Sequence, residues 1–498
     1  MTGTCLIRSG RVLVGHELVR ADVLIENDRI AAVGAGVAAP AAARQIDATD
    51  RLVVPGLMNA HTHAASHLAR GRAGSWTLED LLVHAPANYA FRSPEDEYLS
   101  TAIGAIEMLK TGCTAAYDLY MSIPAITSEA MEAVVRAYTD SGMRAVVAPA
   151  VADVVFYRTV PGLLDLLPAD LRRVVDAMQP APTKGLLELT EQVIRRWHGA
   201  ADGRIHTAVA PTIPNQATDE FLAGCARLAR EYGVGVHTHL AESKVQAVES
   251  QRRWGKTIVE RLAEHGLLDS RFVGAHAIWL TGDDIRRLAD AGAAVAHNPG
   301  SNLRLGCGIA PVREMLDAGL AVGLGTDGSI CADNQNLFEA LRIASVVSTI
   351  RFPHATERWL DAGTVWRLAT AGSARVLGLA ADLGAIAPGC KADLVLLRAD
   401  SVFLRPLADP VNALVYAETG ASVDTVLVDG RPVLEHGRVT TLDEARIYAR
   451  AQEAADRQRA RSADAAQLAR RLAPYVGAAC RAAVATPLSI NRYAAPTP

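Results

Sequence analysis

The sequence predicts an α/β fold, a (β/α)8 TIM-like barrel joined to a smaller, discontinuous β-sandwich domain built from the N- and C-terminal segments. Through the middle of the chain, short apolar strands alternate with longer helical segments, as in βα units around a parallel sheet. Eight such strands are predicted, which matches a closed barrel. Short strands separated by Gly and Asp flank this region on both sides, and this pattern predicts a small β domain.

The predicted barrel strands are Leu52–His63, Thr114–Tyr120, Arg144–Val151, Arg204–Thr212, Gly233–Glu242, Phe272–Leu280, Ala293–Asn302 and Ala321–Ser329. Helices are predicted between them, for example Glu95–Lys110, Ser128–Ser141, Asp219–Tyr232, Lys256–His265 and Asp283–Ala291. An open doubly wound sheet would have fewer strands and usually a Gly-rich phosphate loop, which the sequence lacks.

These patterns divide the chain into four parts. They are residues 1–51 (N-terminal part of the β-sandwich domain), 52–382 (barrel), 383–440 (C-terminal part of the β-sandwich domain) and 441–498 (a helical extension). Asp429-Gly430 lies between two apolar runs, which predicts a hairpin turn there. The segment Asp443–Leu472 is rich in Ala, Arg, Glu and Gln and is predicted to be helical.

Composition and charge limit the possible partners. The chain has 498 residues, 50% of them hydrophobic, and a net charge of −4 from 50 basic and 54 acidic residues. This near-balance favours neither nucleic acid nor an anionic membrane as a partner. No apolar stretch approaches the roughly 18 residues of a membrane span, and no signal-peptide pattern is present. We therefore expect a cytoplasmic protein that acts on a small molecule.

The most informative motif is His61-Thr62-His63, at the end of the first predicted barrel strand. Side chains at positions i and i+2 share one face of a strand, so both imidazoles are able to bind one metal ion. The motif alone is equally consistent with two ordinary polar residues. Later strands also end in His or Asp, at His239, His276 and Asp327. Because reactive groups of such barrels collect at these strand ends, the metal site is favoured.

Seven motifs follow one another in a recognisable order. They are Pro55–His63, His239–Glu242, Gly274–His276, His297–Asn302 and Gly325–Gly328 in the barrel, with Pro388–Leu394 and Val426–Gly430 in the β domain. With these motifs the chain resembles the amidohydrolase superfamily and, within it, the deaminase and chlorohydrolase branch. Within that branch it is similar to the deaminases of methylthioadenosine and adenosylhomocysteine, with departures in the sugar-binding motifs. The resemblance spans nearly the whole chain.

The resemblance implies one divalent metal ion bound by His61, His63, His239 and Asp327, with zinc expected first and iron or manganese as alternatives. Three imidazoles and one carboxylate leave a coordination position for water, as a catalytic site requires. Binuclear members carry a Lys at the end of strand 4. The segment Ala208–Thr212 has none, so a mononuclear site is expected. The seven cysteines contain no CxxC pair, which argues against a thiolate site.

The expected reaction is hydrolytic deamination at a ring carbon of an N-heterocycle, with a metal-activated hydroxide as nucleophile and ammonia as product. Glu242, His276 and Asp327 are the expected catalytic residues. Glu242 would carry a proton to the ring nitrogen, Asp327 would orient the hydroxide, and His276 would bind hydroxide or substrate. An s-triazine-type hydrolase that displaces chloride or an alkylamine, and an adenosine-type nucleoside deaminase, are alternatives. A non-catalytic relative is disfavoured because every expected ligand is present.

Two departures from the family pattern concern sugar binding. Relatives that act on adenosine compounds have His-x-Pro-Tyr after strand 4, whereas Pro211–Gln216 contains no His. Ala90 lies near the position of their ribose-binding Glu. Both departures favour a free heterocycle over a nucleoside. The expected substrate contacts are Trp76, Gln216 and His276, with Tyr120, Phe156 and Trp279 as further candidates.

Two further histidines lie near the motifs. His237 shares a strand face with His239, but the His-x-x-Glu spacing to Glu242 selects His239, so we expect His237 to pack inside the barrel. His67 is expected in the substrate pocket or on the surface rather than as a ligand. A homo-oligomer is expected from the family resemblance.

Overall fold

The computed structural model describes residues 3–493. Its strands are β1 (Thr4–Val14), β2 (Glu17–Glu26), β3 (Arg29–Gly34), β4 (Arg44–Asp47), β5 (Arg51–Pro55), β6 (Leu57–Thr62), β7 (Cys113–Tyr120), β8 (Arg144–Val151), β9 (Ile205–Thr207), β10 (Ala210–Pro211), β11 (Val236–Leu240), β12 (Phe272–His276), β13 (Ala294–His297), β14 (Ala321–Leu324), β15 (Leu394–Arg398), β16 (Val423–Val428), β17 (Arg431–Glu435) and β18 (Arg438–Val439).

Its helices are α1 (Leu78–Val83), α2 (Ala85–Tyr89), α3 (Pro94–Lys110), α4 (Ser128–Ser141), α5 (Leu163–Leu166), α6 (Ala169–Ala177), α7 (Thr183–Trp197), α8 (Ala200–Gly203), α9 (Asp219–Tyr232), α10 (Lys244–Trp254), α11 (Ile258–Glu264), α12 (Gly282–Asp290), α13 (Pro299–Arg304), α14 (Val312–Asp317), α15 (Leu337–Arg351), α16 (Ala362–Arg367), α17 (Ser373–Val376), α18 (Pro410–Tyr416), α19 (Glu444–Arg461) and α20 (Ala463–Val484). Within residues 3–493, no helix combines the length and the apolarity that crossing a membrane requires.

Nine strands from the two ends of the chain form one continuous sheet. Its order is β18-β17-β16-β15-β5-β1-β2-β3, and β4 pairs with β1. The antiparallel pair of β15 and β5 joins the C-terminal strands to the N-terminal ones. Side chains alternate along β5: Val53 packs in the sheet's own core, whereas Leu52 and Val54 pack in the core shared with the barrel. Burial on both faces explains why this strand reads as an uninterrupted apolar run.

The barrel consists of β6 to β14, with β9 and β10 sharing the fourth position. Its parallel strands form two sheets, β6 to β10 and β11 to β14. Backbone hydrogen bonds close the circle at both seams. The amide of His237 donates to the carbonyl of Val209 at 2.9 Å, and the amide of Asp327 donates to the carbonyl of His61 at 2.9 Å. The predicted (β/α)8 barrel with a discontinuous β domain is confirmed.

Several predicted strands are wrong in their extent: Arg204–Thr212 is β9 and β10, Ala293–Asn302 runs into α13, and Gly233–Glu242, Phe272–Leu280 and Ala321–Ser329 are longer than β11, β12 and β14. Leu52–His63 is two strands, because the chain leaves the nine-stranded sheet at Pro55 and enters the barrel at Leu57. Gly56 lies between them and packs so closely on Thr114 that a Cβ atom would collide with that side chain. A continuous apolar run therefore conceals a change of sheet. The division of the chain into domains stays a prediction.

The C-terminal predictions agree with the structure more closely. Asp429 and Gly430 have positive φ angles of 50° and 70° in the turn between β16 and β17, as the predicted hairpin requires. The predicted helical tail forms α19 and α20, and it continues beyond Leu472 to Val484. Helix α20 lies against α1, α5 and α10, which all follow the C-terminal ends of barrel strands. The tail thus covers part of the barrel mouth.

Candidate metal centre

The predicted ligands come together at the C-terminal mouth of the barrel. His61 lies in β6, His63 follows it, His239 lies in β11 and Asp327 follows β14. All four are buried, with at most 6% of each residue exposed. Gly325 allows β14 to approach β6 this closely, because a Cβ atom there would lie 2.8 Å from the His61 amide nitrogen.

The ligand atoms converge on one point. The Nε2 atoms of His63 and His239 are 3.1 Å apart. One carboxylate oxygen of Asp327, Oδ1, lies 3.2 Å from His63 Nε2 and 3.5 Å from His61 Nε2. Among the described residues, two groups of three offer ligand atoms within 4.8 Å of one another. Both groups contain His61, with His63 and His239 in one and His276 and Asp327 in the other.

The hydrogen bonds fix the tautomers of two imidazoles. His63 Nδ1 lies 2.7 Å from the Leu119 carbonyl oxygen, and His239 Nδ1 lies 2.5 Å from the Thr212 carbonyl oxygen. A carbonyl only accepts, so both Nδ1 atoms carry the proton and both Nε2 atoms present a lone pair. Two lone pairs 3.1 Å apart repel each other unless a cation lies between them. Such a carbonyl partner behind each ring is typical of metal-bound histidines.

Other buried atoms at this point have no hydrogen-bond partner within residues 3–493. They are both ring nitrogens of His61, Nε2 of His276 and Oε2 of Glu242. An unsatisfied buried polar group costs about 1–3 kcal/mol, so several in one place call for a ligand. Imidazole and carboxylate donors in this number suit a divalent metal ion with an open position. The residues present therefore fit the predicted metal.

Glu242 and His276 lie side by side next to the ligands. Glu242 Oε1 is 3.6 Å from His276 Nδ1, and His276 Nε2 is 3.9 Å from Asp327 Oδ2. His276 Nδ1 also lies 2.8 Å from the side-chain oxygen of Asn302, which fixes the ring. Both His276 (φ 67°) and Asp327 (φ 64°) adopt the left-handed region that non-glycine residues rarely occupy. This strain at two strand ends is typical of functional sites.

Burial controls the protonation of the centre. It lowers the pKa of His61 to about 3 and that of His239 well below the ordinary value, so both rings are neutral as ligands must be. Burial would raise the pKa of Asp327, but the adjacent imidazoles of His61 and His63 outweigh burial and hold that pKa well below its usual range. Burial, together with the charges of Asp327 and Glu79, raises the pKa of Glu242 well above its usual value. Glu242 is therefore suited to hold a proton.

Sequence reasoning missed the carboxylate of Glu79. It lies in the first turn of α1 and is buried, and its Oε1 accepts a hydrogen bond of 2.7 Å from Ser243, the neighbour of Glu242. Thr77 and Asp80 form the capping box of α1, and an acidic residue in a first helical turn is ordinarily explained by the helix dipole. Its burial depends on the packing of α1 against the rest of the mouth.

Sequence reasoning also missed the amide of Gln335, which supports the metal centre. Gln335 Oε1 accepts from Thr62 at 2.6 Å and from Thr326 at 2.8 Å, and its Nε2 donates to the Asp327 carbonyl at 2.7 Å. One buried side chain thus fixes the ends of β6 and β14 relative to each other.

Two predicted substrate contacts lie apart from the ligands. Trp76 stacks on His84 with ring centroids 4.3 Å apart, in the segment before α1. Gln216 is buried in the turn after β10, beside Asn215, which donates to the carbonyl of Gln246. Gln246 in turn accepts from the amide of Glu242 at 2.9 Å. The substrate contacts of Trp76 and Gln216 stay predictions.

The two remaining histidines are both buried. His237 packs perpendicular to the ring of Tyr117 at 4.3 Å, inside the barrel. The suggestion that His67 lies on the surface is wrong, because only 5% of it is exposed. Its Nδ1 is 2.6 Å from Ser329 Oγ, and its ring occupies the space that a side chain at Gly104 would fill. Because residue 104 of α3 is a glycine, there is room for the imidazole ring of His67.

The chain matches known proteins over most of its length. The model of the amidohydrolase family matches residues 52–433. The 5-methylthioadenosine/S-adenosylhomocysteine deaminase of Symbiobacterium thermophilum is 37% identical over 465 residues, which cover 91% of this chain and 97% of that protein.

Solved structures with the same fold include two zinc-bound enzymes. An adenosine deaminase from Xanthomonas campestris with bound zinc superposes with a TM-score of 0.81 at 27% identity, covering 92% of this chain and 98% of that chain. The atrazine chlorohydrolase of Arthrobacter aurescens in complex with zinc gives a TM-score of 0.82 at 29% identity, covering 91% and 100%.

The chain belongs to the amidohydrolase family. It is a hydrolase of the metal-dependent deaminase class, which acts on C–N bonds of cyclic amidines. A divalent metal ion is its cofactor. The predicted family, fold class and enzyme class are thereby confirmed.

Proposed function

We propose that the protein is a zinc-dependent deaminase of an adenosine-type nucleoside. The observation that carries the proposal is the carboxyl group of Glu242. It is 1% exposed, one of its oxygens has no partner within residues 3–493, and it lies 3.6 Å from His276 at the edge of the ligand cluster. A buried carboxyl of raised pKa at such a position is suited to proton transfer to a substrate ring.

The proposed ligands are His61, His63, His239 and Asp327. When bound, zinc supplies a water molecule whose pKa is near 7. Glu242 takes a proton from the attacking water and delivers it to the ring nitrogen beside the reacting carbon. The water oxygen forms a bond to that carbon, the C–N bond to the amino group breaks, and the amino group leaves as ammonia after taking the second proton. His276, whose Nδ1 donates to the side-chain oxygen of Asn302, keeps a lone pair on Nε2 that accepts a hydrogen bond from the attacking water.

The substrate class rests on the relatives. The similar protein from Symbiobacterium thermophilum is named for 5-methylthioadenosine and S-adenosylhomocysteine, and a neighbour in structure is an adenosine deaminase. The absence of the family's sugar-binding His and Glu near Pro211–Gln216 and Ala90 argues for a different contact to the sugar. Glu79, buried beside Ser243, offers a carboxylate that accepts hydrogen bonds from hydroxyl groups.

A second candidate is hydrolysis of an s-triazine with loss of chloride or an alkylamine. The same missing sugar-binding residues favour it, and so does the likeness to an atrazine chlorohydrolase. Protonation of a ring nitrogen by Glu242 serves either leaving group, so the residues of the centre are the same for both reactions.

The test is a substrate panel with the zinc-loaded protein. Adenosine, 5-methylthioadenosine, S-adenosylhomocysteine, adenine and atrazine are compared for release of ammonia, chloride and alkylamine, and metal analysis gives the zinc content. We expect ammonia from the nucleosides and one zinc per chain. Release from atrazine alone would favour the second candidate, and ammonia from adenine alone would favour a free base. No product from any compound would contradict the proposed function.

Location and assembly belong to the same proposal. We propose a cytoplasmic homo-oligomer, as expected for the family. Fractionation of cells that express the protein tests the first point, and light scattering of the purified protein tests the second.

A further inference from the structure

The chain after α20 returns to the barrel mouth and ties two of its loops together. Arg492 is 7% exposed. Its guanidinium group donates to the Leu280 carbonyl, in the loop after β12. Its own carbonyl accepts from the amide of Ile309 at 2.7 Å, in the loop between α13 and α14. One residue near the end of the chain thus joins loops that follow two adjacent barrel strands.

The partner loop has a shape that fits this contact. Gly308 adopts a φ of 124°, and a Cβ atom there would lie 2.9 Å from the Arg492 carbonyl oxygen. Only glycine permits both the backbone angle and the close approach. The neighbouring Asn491 carbonyl accepts from Arg351 of α15 at 3.3 Å. Residues of both segments are therefore arranged for this contact, and the segment after α20 does not simply lie on the surface.

Both tied loops continue directly into the catalytic centre. The Cys307 amide donates to the carbonyl of Asn302 at 2.9 Å, and the Asn302 side chain fixes His276 at 2.8 Å. Trp279, three residues after His276, donates from Nε1 to the Cys307 carbonyl at 2.8 Å. The Tyr493 ring packs on Trp279 with centroids 5.0 Å apart. A continuous set of contacts therefore runs from the chain end to the ring of His276.

The segment spans open space before it reaches these loops. A cleft of about 630 Å³ lies under Thr486–Ile490, between this segment and the loops after β11 and β12. Trp279 and Leu280 form part of its wall, and none of the proposed metal ligands lines it. The segment makes its hydrogen bonds to the barrel mouth at Asn491 and Arg492, whereas Leu488, Ile490 and Tyr493 pack on the core while only partly buried. Loss of the Arg492 side-chain contact is therefore expected to loosen the segment without emptying the protein core.

We propose that residues Leu488–Tyr493 form a strap that positions His276 for catalysis, and that Arg492 is its positioning residue. The strap holds the loop after β12 against the loop carrying Cys307, which keeps Asn302 behind His276. It acts on the turnover step rather than on metal binding, because its contacts reach His276 and not His61, His63 or His239. The kinetic part of this proposal rests on the deaminase function proposed above.

The test compares Arg492→Ala with a matched surface variant. Arg471→Ala removes an arginine of α20 that is paired with Asp170 and is 53% exposed. For Arg492→Ala we expect kcat to fall by about 10- to 100-fold, the loss that a small misplacement of a catalytic group causes. KM, zinc content and Tm should stay close to the unaltered protein. Arg492→Lys, which keeps one donor for Leu280, should recover part of the loss, and Arg471→Ala should change nothing.

Hydrogen–deuterium exchange provides a readout that needs no substrate. In Arg492→Ala we expect faster exchange at residues 277–281 and 305–311. Unchanged exchange there, or a kcat within twofold of the unaltered protein, would overturn the proposal. If the protein turns over none of the compounds, the proposed function is contradicted. The hydrogen–deuterium exchange measurement still tests whether the strap holds these loops. If Arg492→Ala does not fold, a chain that ends at Pro487 replaces it, with the same expected and overturning results.

Discussion

Two clusters of buried charge lie at opposite ends of the barrel, and they differ in how well their atoms are paired. At the start of β8, Arg144 donates to Asp429 at 2.6 Å and to both oxygens of Asp393 at 3.2 and 3.3 Å. Asp393 also accepts from the Asp429 amide at 2.9 Å. At the other end, His61, Glu242 and His276 keep buried atoms without partners within residues 3–493.

This difference distinguishes a structural site from a catalytic one. The Arg144 cluster joins the barrel to the nine-stranded sheet, and its geometry satisfies every charge, so nothing further is needed for stability. In the candidate metal centre, unpaired buried atoms and the strained backbone at His276 and Asp327 are typical of a functional site that binds a ligand. Burial of charge by itself is not evidence of function, whereas several unpaired polar atoms that converge on one point indicate a ligand.

The largest expected effect is at the metal centre. Chelation of the metal, or His63→Ala, should abolish deaminase activity while the protein stays folded, because the barrel core does not depend on the ligands. Metal analysis, circular dichroism and ammonia release measure the three parts of this prediction. Recovery of the chelated protein on addition of zinc is the control. Full activity in metal-free protein would contradict the interpretation of this cluster as a catalytic metal site.

Glu242→Gln should have the next largest effect. The amide keeps the shape but does not transfer protons, so kcat should fall by about 10²–10⁴-fold, the usual contribution of a general acid–base group. Zinc content should be unchanged, since Glu242 is not a proposed ligand. Stability should stay the same or rise, because a neutral group replaces a buried acid. A variant with normal kcat would show that the proton passes through another residue.

Arg144→Met tests the opposite cluster. Removal of the guanidinium leaves two buried carboxylates unpaired, so the free energy of unfolding should fall by about 3–5 kcal/mol. Denaturant unfolding measures it, and activity per folded molecule should be unchanged. Arg196→Ala is the control: its ion pair with Glu132 is 53% and 55% exposed, so its loss should cost less than about 1 kcal/mol. Equal losses in the two variants would contradict the assignment.

Glu97 provides a smaller, pH-dependent test. Burial raises its pKa from 4.5 to about 7, although the charge of Arg92 partly opposes this. A carboxyl whose pKa is higher in the folded state binds its proton more tightly there. The free energy of unfolding should therefore fall as the pH rises from about 4.5 to about 7, by about 3 kcal/mol in all.

Glu97→Gln should flatten most of that decline, as unfolding at pH 5 and pH 8 measures. A smaller decline should remain from Asp118, whose pKa burial raises to about 6. If the variant and the unaltered protein lose equal stability between these two pH values, Glu97 is not the source.

Much of the fold was predictable because the necessary signals are local. Short apolar runs identified β7 and β8 almost to the residue, and Asp429-Gly430 identified a hairpin. The two-residue spacing of His61 and His63 indicated a shared strand face, and the remaining proposed ligands followed from the family resemblance. The same local signal failed at Gly56, because an apolar run does not show whether a strand stays in one sheet or changes to another.

The sequence by itself determined the order of strands and helices, the family and the types of residue at the strand ends, since each is encoded in short, contiguous patterns. The tertiary structure alone decided which buried charges are satisfied. Arg144 meets Asp393 and Asp429, and Glu79 meets Ser243, across separations of more than a hundred residues. Arg492 reaches Leu280 in the same way. Such contacts arise when the closed barrel brings distant segments together, and no local periodicity records them.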